Sequence, residues 1–498
     1  RKDDAVFCIT EGGETSSVLG AVKSAADRYR SDEGYNSCSS SQYNFFVFNN
    51  PEDLIRPFIR SRDILDDPGL TKLNLTTGPQ AIAGSTRMQA ATSETYFMGA
   101  VLETAACGFL LQYLTEDELA DLGFDPERKI SQRLLDLKDI CSVVQGSSNK
   151  IAKLTTLESD TYTKGGFTTY FAKKALAAVF VDCAERSPTF HLFPLDTVDE
   201  KQKKSWIQVW TEGKDHHAAW RNLLGREFRG MEERFYLQHF KERIKDPFLK
   251  EAALRSLRQA GDSQRDLYDL SFSQENINRR CPEKHDLGVA VCIDDEINHL
   301  KESGSSFRRF IDLCKQQGAK IGLIYVGNKP GETVIKAAAE AEVDPDNDVI
   351  VPIRLKESPD PLGLNRQIAV KILLNAHSTA VMGRLGRIVG NTMTNVVPSN
   401  LKLIGRATYL ILSHVNELIT RQEWQSCYGR KKPLTYAEAN IVLFNAIEFL
   451  GDQGREVSEV DISVIRILEA LRSNKYVPWD QALILAKDPG LEEYLRQI

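Results

Sequence analysis

Short apolar runs rich in β-branched and aromatic residues recur along this chain, and each gives way to a polar loop and then to a helical pattern. Ala5-Val6-Phe7-Cys8-Ile9 leads into a Gly-containing loop, after which Val18, Leu19, Val22 and Ala26 fall at helical spacing within Ser16 to Tyr29. Phe45 to Phe48, Thr71 to Leu75, Phe167 to Phe171, Val289 to Ile293, Lys320 to Val326 and Val349 to Ile353 read as further strands, with Lys174 to Glu185 as one of the helices between them. Strands that alternate with helices pair in parallel, because the crossover helix returns the chain to the same end of the sheet. The predicted class is therefore α/β, with parallel sheets in two domains.

Two stretches depart from the alternation. Between Asp199 and Leu270, Trp206, Trp210, Trp220, Phe228, Phe235 and Tyr236 are interleaved with Lys, Arg and Glu, and helix-spaced aromatics of this kind are more often core than a nucleic-acid surface. This reads as a helical insertion. From Gln367 onward strand signals vanish. Thr435 and Glu438 have capping-box spacing before Ile441 to Leu450, Gly451 is a helix stop, and Val477-Pro478-Trp479 opens another short helix. The 498 residues suit about three folding units, with boundaries at 1–135, 136–366 (insertion about 199–270) and 367–498, the last all-helical. Ser37, Ser39, Ser40 and Ser41 mark a loop expected to be mobile.

Acidic residues outnumber basic ones by 69 to 63, so nucleic acid is not an expected partner. No apolar run reaches the ~20 residues that span a bilayer, and no membrane partner is expected. Nine scattered cysteines without a Cys-x-x-Cys pair point to a reducing, cytoplasmic setting, with a nuclear one as the alternative. Arg1-Lys2-Asp3-Asp4 runs straight into the first strand with no signal-like region, so the chain is expected to begin inside a domain.

Chemistry concentrates in the loops between strands and helices. Thr10-Glu11-Gly12-Gly13-Glu14-Thr15 and Ser16 offer hydroxyls and backbone N–H groups at a helix start, where an anion is favoured and glycine permits close approach. An ordinary turn explains the same residues, and Glu11 and Glu14 repel anions unless they point away. Gly84-Ser85-Thr86-Arg87 is better equipped, with two hydroxyls and a guanidinium; its plain reading is a capped helix with Arg87 in solvent. Both loops should lie beyond the strand C-termini, where open parallel sheets bind ligands. Gly327 to Thr333 has a weaker phosphate-loop look around its Pro330-Gly331 turn. Lys371, Asn375 and Ser378 form one helical stripe, which by itself reads as a solvated face. His216 and His217 are adjacent on a helix and should point apart, so no metal is assigned, and no cofactor is implied.

Thr10 to Thr15 resembles the Ser-x-Ser-Gly-Glu-Thr loop of sugar isomerase (SIS) phosphosugar-binding domains, with Thr and Gly in place of the two serines. Gly78-Pro79-Gln80 followed by Gly84-Ser85-Thr86-Arg87-Met88 is similar to the signature of the SIS group that includes N-acetylmuramic acid 6-phosphate etherases and the glucokinase regulatory protein. His377-Ser378-Thr379-Ala380, Leu385-Gly386-Arg387, Gly390-Asn391-Thr392-Met393 and Pro398-Ser399-Asn400-Leu401-Lys402-Leu403 resemble a later segment of the same group.

The resemblance implies two doubly wound SIS domains, the first incomplete at its N-terminus, and a helical lid. It implies a phosphorylated hexose, a fructose phosphate or an amino-sugar phosphate, bound by Thr10, Gly12, Gly13, Thr15, Ser16, Ser85, Thr86 and Arg87, with Lys371 as a lysine from the lid. The family's first phosphate loop and the glutamate segment that etherases use have no counterpart here. Ala172-Lys173-Lys174 after the Phe167 strand lacks a serine cradle, so one sugar-phosphate site is expected. A regulatory protein acting on a sugar kinase is the implied function; an etherase-like lyase or an aldose–ketose isomerase is the alternative, and a purely structural scaffold is the third possibility.

Overall fold

The computed structural model describes residues 4–31, 40–83, 85–398, 401–451 and 457–498, with the backbone alone at 248, 401 and 402. Arg1-Lys2-Asp3, Ser37, Ser39, Gly84, Ser399 and Asn400 lie outside the described residues. The chain divides into two compact units: Arg1–Ser142 with Ser358–Ile368, and Val143–Glu357 with Ala369–Ile498.

In the first unit, β1 (Val6–Thr10), β2 (Asn44–Phe48) and β3 (Thr71–Asn74) pair in parallel in that order, with Val6 opposite Asn44 and Phe45 opposite Thr71. Helix α1 (Ser16–Ser31) joins β1 to β2, and its Leu19, Val22 and Ala26 stripe is buried with Cys8, Phe46 and Phe48. That spacing of three and four residues gives one apolar face, which the sheet covers. Phe7 stacks on Phe45 across the other face with ring centroids 4.4 Å apart. Helix α2 (Gln89–Leu110) follows the third strand and carries no side-chain cap on its first turn.

The second unit holds β4 (Thr168–Ala172), β5 (Ile207–Trp210), β6 (Leu287–Ile293), β7 (Lys320–Gly327) and β8 (Val349–Arg354), paired in parallel in the order β5-β4-β6-β7-β8. Every residue of β4, β5 and β6 is buried, as strands of a parallel sheet covered on both faces are. Phe171, Trp210, Cys292, Leu323 and Tyr325 pack in one cluster with Phe307, Phe310, Val334 and Ala337 of the following helices. On the opposite face lies α3 (Ser148–Thr163), so close that a Cβ at Gly322 would stand 2.9 Å from Leu154 Cδ1. With helices on both faces the sheet is doubly wound, and its strand order reverses between β4 and β6.

Strand β5 corrects the expectation of a wholly helical insertion at 199–270. Its four residues are buried, but the lysines that flank them at Lys203, Lys204 and Lys214 hide so short a strand in the sequence pattern. Helices separated by turns follow it, beginning with α5 (His216–Leu224). The C-terminal region is helical as expected, starting with α6 (Leu364–Arg384), except for one small correction: Ile388–Val389 and Thr392–Met393 form an antiparallel pair. The capping box at Thr435 is present, with the Glu438 N–H donating to Thr435 Oγ1 at 3.3 Å and Thr435 N–H to Glu438 Oε2 at 2.8 Å. Among the described residues no helix is long and apolar enough to cross a membrane.

Candidate functional site

All three strands of the first sheet end at one edge, and the loops there carry hydrogen-bonding side chains. Thr10, buried at the end of β1, and Thr15, at the mouth of α1, have their hydroxyls 2.8 Å apart. The loop between them is held from both sides: Asn50 donates to the Gly12 carbonyl at 3.1 Å and Ser61 to the Gly13 carbonyl at 2.8 Å. Gly13 adopts a φ of 73°, and a Cβ there would meet Ile55 Cδ1 at 2.8 Å, whereas Gly12 has open space beside it. Arg60 donates to the Ser16 hydroxyl and so sets a guanidinium at the first turn of α1, a cation the sequence pattern did not single out. The outcome is a paired hydroxyl, an accessible glycine and a positive helix end at one spot, the elements of an anion cradle.

Asn49, just past the end of β2, ties this loop to α2. Its N–H donates to the Glu11 carbonyl at 3.1 Å, and its amide donates to Glu94 Oε1 at 2.8 Å and to the Ala90 carbonyl at 3.4 Å. Glu94 is buried, and that burial, with the Glu11 charge adding to it, pushes its carboxyl up to about 7 against the hydrogen bond from Asn49. Ser85, Thr86 and Arg87 lie just before α2 in the same unit. Ser85 and Arg87 are buried, which corrects the reading of Arg87 as a solvated side chain, and neither Ser85 nor Thr86 caps the helix.

The edge of the second sheet is occupied from within. At the switch point between β4 and β6, where an open parallel sheet would receive an anion, the buried Glu296 carboxylate accepts from Lys174 N–H at 2.9 Å and from Ile293 N–H at 2.8 Å. The protein's own carboxylate thus takes both backbone donors. In the Gly327 to Thr333 turn, Lys329 N–H donates to Tyr325 OH at 2.9 Å, and the Lys329 amine pairs with Asp295 at 3.0 Å.

Lys371 belongs to the second unit, and its stripe is not a solvated face. Its amine donates to Asn375 Oδ1 at 2.8 Å; Asn375 and Ser378 in turn donate to Asp182 Oδ1 at 2.8 and 3.1 Å, and both are buried. Asp182 on α4 (Leu176–Phe190) is one end of a buried polar cluster. Arg186 binds Asp182 Oδ2 at 2.8 Å and Glu158 Oε1 at 2.6 Å, and His377 Nε2 lies 2.7 Å from Glu158 Oε2. Tyr162 and Tyr170 donate to the Glu158 oxygens, and Thr155 meets His377 Nδ1 at 3.0 Å. Burial works against the Glu158 charge, but Arg186 and then His377 outweigh it and hold the carboxyl well below the usual range. Every partner comes from α3, α4, β4 or α6, so the cluster fastens α6 to the sheet.

His216 and His217 do not point apart as expected: their ring centroids are 4.3 Å from each other.

No protein-family model matches the chain. Over 95 residues, 18% of the chain, it is 33% identical to N-acetylmuramic acid 6-phosphate etherase 1 of Enterococcus faecalis, a match that spans 32% of that protein. Over 45 residues, 9% of the chain, it is 51% identical to the N-acetylmuramic acid 6-phosphate etherase of Porphyromonas gingivalis, spanning 16% of it. The chain thus spans about a third or less of the curated relatives it matches. Among solved structures, the C-terminal domain of glucosamine-fructose-6-phosphate aminotransferase from Francisella tularensis is 13% identical, covering 76% of this chain and 74% of that one, at a TM-score of 0.36. So slight a likeness adds nothing to the sheet topology above.

Proposed function

We propose that this chain is an SIS-type sugar-phosphate-binding protein that takes a phosphorylated hexose at the C-terminal edge of its first sheet. The observation that carries the reading is the Thr10–Thr15 hydroxyl pair beside an unobstructed Gly12 at a helix N-terminus. In this reading Thr10, Gly12, Gly13, Thr15 and Ser16 receive the phosphate, Ser85, Thr86 and Arg87 the rest of the ligand, and Lys371 adds a cation. The relatives support the ligand class, since by name they act on an amino-sugar 6-phosphate. Domains at 1–135, 136–366 and 367–498, a single site, and regulation of a sugar kinase through the bound ligand complete the proposal. A ligand shifts a partner surface only through differential affinity for two states, typically ~1–3 kcal/mol.

The test is calorimetric titration of the chain with fructose 6-phosphate, fructose 1-phosphate and N-acetylmuramic acid 6-phosphate. Thr10→Val and Lys371→Ala should each weaken binding by about tenfold, the scale of a lost hydrogen bond to a charged group. Failure of all three sugar phosphates to bind refutes the reading.

One observation favours the enzyme alternative, a lyase or an isomerase. Glu94, held by Asn49 and titrating near 7, is suited to exchange a proton at neutral pH. Turnover of N-acetylmuramic acid 6-phosphate or of a hexose phosphate, abolished in Glu94→Gln, would replace regulation with catalysis.

A further inference from the structure

The turn after edge strand β5 brings together three metal-ligating side chains that the sugar-phosphate site does not use. His216 and His217 are the first two residues of α5, after Asp215, whose carboxylate caps the helix by accepting from Ala218 N–H at 2.9 Å. Neighbouring side chains on a helix normally diverge by about 100°. Here both imidazoles turn toward Asp266, and one ligand atom from each of the three residues lies within 4.8 Å of the others. His216 Nε2 stands 3.3 Å from Asp266 Oδ1.

That separation has a coordination meaning. Two donors bound at about 2.05 Å to one tetrahedral ion are about 3.3 Å apart, so the His216–Asp266 pair is already at the required spacing. The His217 donor lies within 4.8 Å of both. The two elements that carry the ligands are clamped together: the Trp220 indole of α5 donates to the carbonyls of Arg265 and Tyr268 at 3.0 and 3.1 Å, on either side of Asp266. Trp220 is itself fixed between Phe180 and Phe228, with centroids 5.9 and 5.2 Å away. The clamp holds the donors near one another before any ion arrives, which lowers the ordering cost of binding. Arg265 also bonds Asp266 Oδ1, at 3.0 Å, but an ionised carboxylate has lone pairs enough for a guanidinium and an ion.

We propose that His216, His217 and Asp266 bind one divalent transition-metal ion, with the fourth position left to water. Two imidazoles and a carboxylate select zinc, cobalt or nickel over calcium and magnesium, which prefer an all-oxygen shell. Zinc accepts four-coordinate geometry most readily. The site uses residues remote in sequence from the sugar-phosphate loops, so it stands or falls independently of what those loops bind.

The experiment is a titration of the untagged, chelator-treated full chain with Co²⁺, followed by Zn²⁺. The expected result is the visible absorption of tetrahedral Co²⁺ at one ion per chain, without thiolate charge-transfer bands, and its loss as Zn²⁺ displaces the probe. Asp266→Asn and His217→Ala should each weaken Co²⁺ binding at least about tenfold. All three ligands are partly or fully exposed, so the metal-free melting temperature should not move. The proposal is overturned by the absence of a tetrahedral spectrum, or by equal Co²⁺ binding in His216→Ala/His217→Ala, which would put the ion on the cysteines or elsewhere.

Discussion

Replacing Arg186 with Met should destabilise the second unit as much as the costliest core truncations, although it opens little cavity. Arg186 is fully buried and binds Glu158 at 2.6 Å, Asp182 at 2.8 Å and the Tyr170 hydroxyl at 3.1 Å, with its guanidinium 5.2 Å from the Tyr170 ring centroid. Methionine fills much of the same volume but leaves two buried carboxylates without their shared cation. Breaking a buried ion pair from one side costs about 3–5 kcal/mol, because the remaining charge must stay desolvated or take up a proton. The unit has roughly 350 residues, and unfolding entropy near 2.1 cal/mol/K per residue makes this a fall of about 4–7 °C in its melting temperature. Differential scanning calorimetry of the full chain reads the shift, with circular dichroism confirming that the fold survives at low temperature. Adding Glu158→Gln removes one of the stranded charges and should recover part of the loss, since the two sites share one network. A shift within about 1 °C of wild type, or a double variant less stable than Arg186→Met alone, would refute the account of α6 as anchored by charge.

Two further outcomes follow from the first unit. Gly13→Ala should cost about 1–3 kcal/mol, from the left-handed φ and the close approach to Ile55; Gly12→Ala should leave stability unchanged in urea unfolding while weakening sugar-phosphate binding, and equal stability losses at the two positions would contradict the geometry. Glu94 has a folded-state value of about 7, above its ordinary 4.5, so the folded chain holds this proton more tightly than the unfolded one. Its contribution is complete below about pH 4.5 and is lost as pH rises to about 7, up to about 3 kcal/mol in all. Melting curves from pH 4 to 8 should show Glu94→Gln with the shallower dependence across that window, and an unchanged slope would show that Glu94 is not the group.

The grouping of the Thr10–Thr15 loop was legible because its parts are neighbours in the chain. Thr10, Gly12 and Thr15 sit between one strand and one helix, and a turn that short brings them together whatever surrounds it. Ser85, Thr86 and Arg87 were legible as a group for the same reason, but not their state: no local pattern shows that Arg87 is buried or that the helix starts beyond the hydroxyls. Asn49 and Glu94 gave no signal, since each is unremarkable in its own segment and acquires a role only from the other, 45 positions away. Lys371, Asn375 and Ser378 had the right spacing for one face and the wrong environment, because periodicity shows which residues share a face and not what covers it.

From the sequence alone came the α/β class, most of the strands, the helical C-terminal region and the capping box at Thr435, all of which depend on residues within a turn or a strand of one another. Only the tertiary structure decided that Ile207–Trp210 closes the edge of the second sheet, that Glu296 fills that sheet's own switch point, and that Glu158 meets His377 across 219 positions. It also decided that His216 and His217 converge on Asp266. The physical reason is common to these cases: a charged or polar side chain takes its meaning from the groups that desolvate it and pair with it, and those groups are chosen by packing between elements remote in sequence.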